Sequence, residues 1–150
     1  MFMEVTLAQK ADIEGILALQ TQIYRVASVA SNAVSILEDL LVSSNCTVLV
    51  AKINGLVVGS GFIFYIQVPA HGAPYALLEG IVVDGKHRGH GVGTKLLEES
   101  IALAKQKGCY KVIFTSGLDR GEAHEFYEKH GFKKQGFEFR MDLSQDGKSK

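Results

Sequence analysis

The chain has 150 residues, 47% of them hydrophobic, enough for one domain with a sizeable core. Its 16 basic and 16 acidic side chains cancel, which leaves no global electrostatic case for nucleic acid or a membrane surface as partner. The opening residues are too short and mixed for a secretory signal, and no apolar run approaches the ~20 residues that span a bilayer.

Cys46 and Cys109 lie far apart with no CxxC pair or His-rich neighbourhood, so neither a disulfide nor a metal site is expected, and a reducing cytoplasm is the expected compartment. Glu4 to Ala8 alternates as a first strand. From Lys10 a helical pattern carries Ile13, Ile16, Leu17 and Leu19 on to Ile23 and Tyr24, and a second helix over about Ser31 to Leu41 has Val34, Leu37, Leu40 and Leu41 as its stripe. Cys46 to Ile53 and Leu56 to Val68 flank Asn54-Gly55, the strongest short signal for a hairpin. Gln67 to Pro74 reads as a loop, and Tyr75 to Asp84 as a central strand, apolar on both faces.

Gly91 to Gly108 is a helix with Val92, Leu96, Leu97, Ile101 and Ala104 as its stripe and Gly108 as its stop. Lys111 to Thr115 is a short strand, and Glu122 to His130 a helix stopped by Gly131. Phe132 to Gln135 and Phe137 to Leu143 read as two closing strands, before a polar tail from Ser144 to Lys150. The order implies an α/β (α+β) fold, a mixed central sheet flanked by helices, as a single domain over residues 1–143 with the tail at 144–150. The strands on either side of the helix from Gly91 should be parallel, because such a crossover is right-handed.

The chemistry concentrates where Ile81-Val82-Val83-Asp84 turns through Gly85-Lys86-His87-Arg88-Gly89-His90-Gly91-Val92-Gly93-Thr94 into that helix. Exposed backbone N–H groups at a helix N-terminus, glycines and basic side chains together make a site for phosphate or pyrophosphate. A Walker loop is excluded, because Gly93-Thr94-Lys95 reverses the lysine and hydroxyl and the glycine spacing is wrong. A dinucleotide fingerprint is excluded too, because Thr94 stands where the third glycine should be and the loop follows an antiparallel hairpin.

Arg88-Gly89-His90-Gly91-Val92-Gly93 does fit the R-x-x-G-x-G loop of the GNAT superfamily of N-acetyltransferases. Ala123-His124-Glu125-Phe126-Tyr127-Glu128-Lys129-His130-Gly131-Phe132 resembles that superfamily's later A-x-x-F-Y-x-K-x-G-F segment. The resemblance runs from about Cys46 to Leu143. It implies acetyl-CoA as acyl donor, an amine as acceptor, direct transfer without a covalent cysteine, and no metal.

By the same resemblance, Arg88, Gly89, His90, Gly91, Val92, Gly93 and Thr94 would hold the pyrophosphate, and Ile81, Val82 and Val83 the pantetheine arm, with the Ile81 N–H near the thioester oxygen. Glu79, the only acid from Tyr75 to Val83, is the candidate general base, and burial among Leu77, Leu78 and Ile81 should raise its pKa. Tyr127 would be the general acid for the departing thiolate. Arg120 stands where many members carry an asparagine that contacts the cofactor, so Ser116 is the candidate replacement. Tyr24, Arg25, His71 and Tyr75 are candidate acceptor contacts. Dimerisation through the closing strands is common among such proteins. Two alternatives stand beside this reading: another acyl group or acceptor, such as an aminosugar phosphate, aminophosphonate or polyamine, and a non-catalytic acyl-CoA-binding regulatory module.

Overall fold

A computed structural model of the chain describes residues 2–23 and 26–144. The chain divides into two compact units, Met1–Ile113 and Phe114–Lys150. The first holds a five-stranded sheet in the order β1-β2-β3-β4-β5, from Met3–Leu7, Cys46–Ile53, Leu56–Val68, Ala73–Val83 and Val112–Ile113. The first four strands are antiparallel to their neighbours, and β5 is parallel to β4, as the crossover requires. Asn54 and Gly55 both adopt positive φ, 50° and 84°, the backbone that lets a two-residue turn follow the twist of β2 and β3.

Helices α1 (Ile13–Gln20) and α2 (Ala33–Leu41) cover one face of the sheet. Ile13, Ile16 and Leu37 pack there with Cys46, Val48 and Val50 of β2, and Phe62 and Phe64 of β3 close the cluster. Asp12, 5% exposed, fixes the start of α1: its carboxylate accepts the Gln9 N–H at 2.8 Å and pairs with Lys52 of β2 at 2.9 Å. A buried carboxylate needs both kinds of partner. Helix α3 (Val92–Gln106) packs on the opposite face through Val92, Leu96 and Leu97. It stops as expected at Gly108: the Gly108 N–H bonds to Lys105 and the Cys109 N–H to Ala104, with Gly108 at φ 77°.

Two expectations need correction. The loop read over 67–74 is only a short 3-10 turn, Pro69–His71, with Gly72; β4 already starts at Ala73, and Pro74 sits in the ladder opposite Gln67. Proline is tolerated there because only its carbonyl is used, accepting the Tyr110 N–H at 3.0 Å.

The closing strands read at 132–135 and 137–143 do not form. Residues 132–143 take no regular structure, and the second unit has one helix, α4 (Gly121–Lys129). Alternation makes Phe137, Phe139, Met141 and Leu143 strand-like, but a strand also needs a ladder partner, and an isolated pair has little stability of its own. These four side chains are 80–95% exposed. Within this unit Tyr127, Phe114 and Phe132 form an aromatic cluster, with ring centroids 4.3 Å (Phe114–Tyr127) and 4.9 Å (Phe114–Phe132) apart.

Candidate functional site

The site is built on the last half of β4. Its ladder to β5 consists of Ala76↔Val112 and Leu77↔Ile113 only, whereas its ladder to β3 continues to Val83. Beyond Leu77, among the described residues, β4 therefore has a paired edge toward β3 and no ladder partner on its other edge. The β3–β4 register also shifts between Ser60 and Phe62: Phe62 pairs with Glu79, but Ser60 pairs with Val82. The extra residue lies in β4, where Gly80 adopts φ 62°. Glycine takes that conformation without the Cβ penalty, and a bulge of this kind re-aims the side chains after it.

The consequence can be traced side by side. A Cβ on Gly80 would lie 3.0 Å from the Phe62 ring, on the α1/α2 face, where Glu79 also points as the partner of Phe62. A Cβ on Gly61 would lie 3.1 Å from Ile81, and one on Gly93 would lie 3.7 Å from Val83, so these two β4 residues point toward α3. Glu79 and the Ile81–Val83 backbone thereby follow one another along the part of β4 that lies beyond its ladder to β5.

The glycine-rich loop follows at once. Asp84 begins it, Gly85–His87 forms a 3-10 turn, and Gly89 and Gly91 hold φ 81° and 83° with open space where a Cβ would stand. Gly91 is the N-cap of α3, so no side-chain oxygen caps the helix, and its first turn carries no acid. The N–H groups of Val92, Gly93 and Thr94 and the helix dipole are thus presented to an anion. Arg88 braces the loop by donating from Nε to the Val83 carbonyl at 3.1 Å, and His90 Nδ1 lies 3.0 Å from the Arg88 carbonyl. This open cradle fits a pyrophosphate.

A brace that the sequence did not signal holds the loop from the α1 side. Gln22 donates from Nε2 to Asp84 Oδ1 at 2.9 Å and accepts the Gly85 N–H at 2.8 Å, while His87 Nδ1 lies 2.8 Å from Asp84 Oδ2. The hydrogen bonds from Gln22 and His87 hold the Asp84 carboxyl below its usual range. A pairing across 62 positions leaves no local pattern to read.

Glu79 is exposed, contrary to the burial expected of it, because it is on the α1/α2 face beside the bulge and not under a helix. Tyr127 is half-buried in the aromatic cluster of the second unit, next to Phe126. In the same unit the Ser116 hydroxyl oxygen is buried with no hydrogen-bond partner among the described residues, as a group awaiting a ligand would be. Arg120 is the N-cap of α4 and is exposed.

His71 and Tyr75 do not gather at Glu79. His71 stacks on Tyr110 at 4.1 Å, Tyr75 meets Tyr110 edge-on at 6.2 Å, and Lys111 Nζ lies 5.0 Å over the Tyr75 ring. Tyr75 is four residues, or about 13 Å, down the strand from Glu79. Tyr24 and Arg25 lie outside the described residues. Sequence reading also missed an apolar cavity of about 230 Å³ between α1, the segment 26–30, α2 and Phe62. Its lining is spread over four separate elements, so no contiguous motif announces it.

Burial pushes the Cys46 thiol up to about 11 and raises that of Cys109, which suits structural roles. Cys46 in the native protein should therefore resist iodoacetamide at pH 8 and react only on denaturation. The shift also makes the thiol's contribution to stability full below pH ~8.5 and progressively lost as pH rises toward 11. A Cys46→Ala variant whose alkaline unfolding matched the wild type would contradict this. Among the described residues no group of three or more His, Cys, Asp or Glu could hold a metal ion, and no helix is long and apolar enough to cross a membrane.

Comparison with known proteins gives this site a family. The model of the acetyltransferase (GNAT) family matches residues 13–132. A solved structure, a putative acetyltransferase from Agrobacterium tumefaciens, superposes with a TM-score of 0.82 at 27% identity, covering 92% of this chain and 99% of that one. An acetyltransferase of Trypanosoma brucei superposes at 0.80 with 26% identity, over 95% of this chain and all of its own length. A curated relative, the glucosamine 6-phosphate N-acetyltransferase of Trypanosoma brucei brucei, is 42% identical over 67 residues, 44% of this chain and 43% of that protein. The aligned stretch thus spans less than half of that relative. With four-fifths of its length matched by the family model and its fold matched nearly end to end, the chain belongs to the acetyltransferase (GNAT) family.

Proposed function

We propose that the protein is an acyltransferase that takes the acetyl group of acetyl-CoA and passes it directly to an amine. The observation that carries the reading is the departure of β4 from β5 beyond Leu77, with the Gly80 bulge between Glu79 and the backbone of Ile81, Val82 and Val83. An unpaired strand edge can hydrogen-bond the amide groups of a pantetheine arm as an added strand would. The cradle from Arg88 to Thr94 follows on the same segment and receives the pyrophosphate.

Deprotonating an alkylammonium of pKa ~10.4 at neutral pH costs about 4–5 kcal/mol, and in this reading Glu79 takes that proton. The freed lone pair attacks the thioester carbon. The Ile81 N–H stabilises the charge that gathers on its oxygen. As the C–N bond forms and the C–S bond breaks, Tyr127 gives its phenolic proton to the thiolate and regains one from solvent. Glu79 releases its proton to water.

The reading is tested by thiol release from acetyl-CoA, followed with a chromogenic disulfide across an amine panel. Amine-dependent release is the expected result. Tight acetyl-CoA binding by calorimetry without release on any amine would favour a regulatory module. Gly91→Val should raise the Kd for acetyl-CoA tenfold or more, because the left-handed N-cap costs a side chain about 1–2 kcal/mol and the β-branched group fills the space over the cradle. The aligned relative supports a second reading, with an aminosugar phosphate as acceptor.

A further inference from the structure

We propose that the cavity beside Glu79 is the acceptor pocket and that it selects a primary amine carrying a hydrocarbon group, an alkyl chain or an aromatic ring, in preference to a sugar phosphate. The proposal rests on the N-acetyltransferase reading above. Three observations lead to it.

The first is position. Phe62 forms part of the cavity wall and is also the ladder partner of Glu79, so the pocket and the carboxylate share one sheet face. A ligand seated against the Phe62 ring lies on the same sheet face as its ladder partner Glu79. The second is chemistry. The described lining carries no charged side chain and is dominated by Leu17, Val26, Val29, Ala33, Ile36 and Phe62. The polar side chains of the described lining are Ser28 and Gln20, whose amide spends one N–H on the Ile16 carbonyl at 3.2 Å. A hexose phosphate needs several donors and a cation for its hydroxyls and phosphate, and burying such groups against this wall would be unfavourable.

The third is exposure and size. Val29 and Ile36 at the rim are 37% and 49% exposed, apolar surface that a hydrocarbon would cover. At about 230 Å³ the cavity exceeds the ~150 Å³ that accepts benzene, so it holds a ring with a short tail or a medium alkyl chain. Charge and apolar surface are complementary to one molecule: the ammonium faces Glu79 while its hydrocarbon fills the cavity.

The test compares n-butylamine to n-octylamine, phenethylamine, glucosamine 6-phosphate and a short peptide with a free N-terminus. Along the alkyl series kcat/KM should rise about three- to fourfold per methylene until the cavity is full, then level off. Ala30→Phe, at an exposed rim position where folding is not at stake, should lower kcat/KM for octylamine tenfold or more and leave the KM for acetyl-CoA within twofold. Ala33→Leu, which fills the wall, should shift the plateau to a shorter chain.

A flat alkyl series, or glucosamine 6-phosphate or the peptide outrunning the best alkylamine, would overturn the proposal. Octylamine binding by calorimetry separates the two readings. If no amine yields thiol but octylamine binds and Ala30→Phe abolishes that binding, the pocket stands and the enzyme reading falls. If octylamine neither binds nor reacts, the pocket falls.

Discussion

Replacing Glu79 by glutamine should lower kcat at pH 7 roughly 10²–10³-fold while the KM for acetyl-CoA stays within about twofold. Glutamine preserves the size and hydrogen bonding of the side chain but cannot take a proton, so the variant must wait for amine that has lost its proton in solution. That fraction grows tenfold per pH unit below the amine's pKa of ~10.4. The deficit should therefore narrow steadily between pH 7 and 9.5. Because Glu79 is exposed, the change should leave thermal stability nearly untouched, which separates a chemical role from a structural one. Tyr127→Phe should also lower kcat without weakening acetyl-CoA binding. Full activity of both variants on the best amine would end the assignment of roles but not of the fold.

The largest effect on stability is expected at the α3 interface. Leu96 is 1% exposed, and a Cβ on Gly59 would lie 3.0 Å from its Cδ1, so β3 is kept bare at that point to receive it. Leu96→Ala should cost about 2–5 kcal/mol through lost burial and the cavity left behind. For a chain of this size that is a fall in Tm of roughly 5–15 °C. Gly59→Ala alone should also destabilise, by about 1–3 kcal/mol, because its methyl would press on Leu96 and on the Val82 carbonyl, 3.2 Å away. Combined, the two changes should partly compensate: the new methyl occupies space that Leu96 has vacated, while its approach to the Val82 carbonyl persists. Urea unfolding of the four proteins of the cycle measures this. Strict additivity, within about 0.5 kcal/mol, would refute the packing account.

Much of this molecule was legible before its structure. Periodicity marked α1, α2 and α3, Asn54-Gly55 marked the hairpin, and Gly108 marked the stop of α3, because each is a local rule with a local cause. The glycine-rich turn into α3 was legible too, since glycines ahead of an apolar helical stripe are a local signal, and Gly89 and Gly91 do take positive φ there. What failed was long-range. Burial of Glu79 was inferred from apolar neighbours in the chain, but its exposure depends on which elements cover the sheet face beside it. The closing strands were inferred from alternation at 137–143, and alternation specifies a preference without supplying a partner. The bond from Gln22 to Asp84 and the cavity lined by Leu17, Val29, Ala33 and Phe62 join distant positions through tertiary packing, which no single-sequence pattern encodes.

The bulge at Gly80 resets the frame of β4. Up to Glu79 the strand counts in twos from its hairpin; after Gly80 the count begins again, displaced by one. Removing Gly80 would restore unbroken alternation and leave Ile81 and Val83 toward α3 and Val82 toward α1 and α2, because Gly80 is the extra residue that shares the face of Glu79. A single deletion there would keep the two sides of everything downstream as far as the loop, and would take away only the bend and added twist that the bulge gives the strand. At this position the protein should tolerate a side chain poorly, because it would meet both the φ 62° backbone and the Phe62 ring 3.0 Å away.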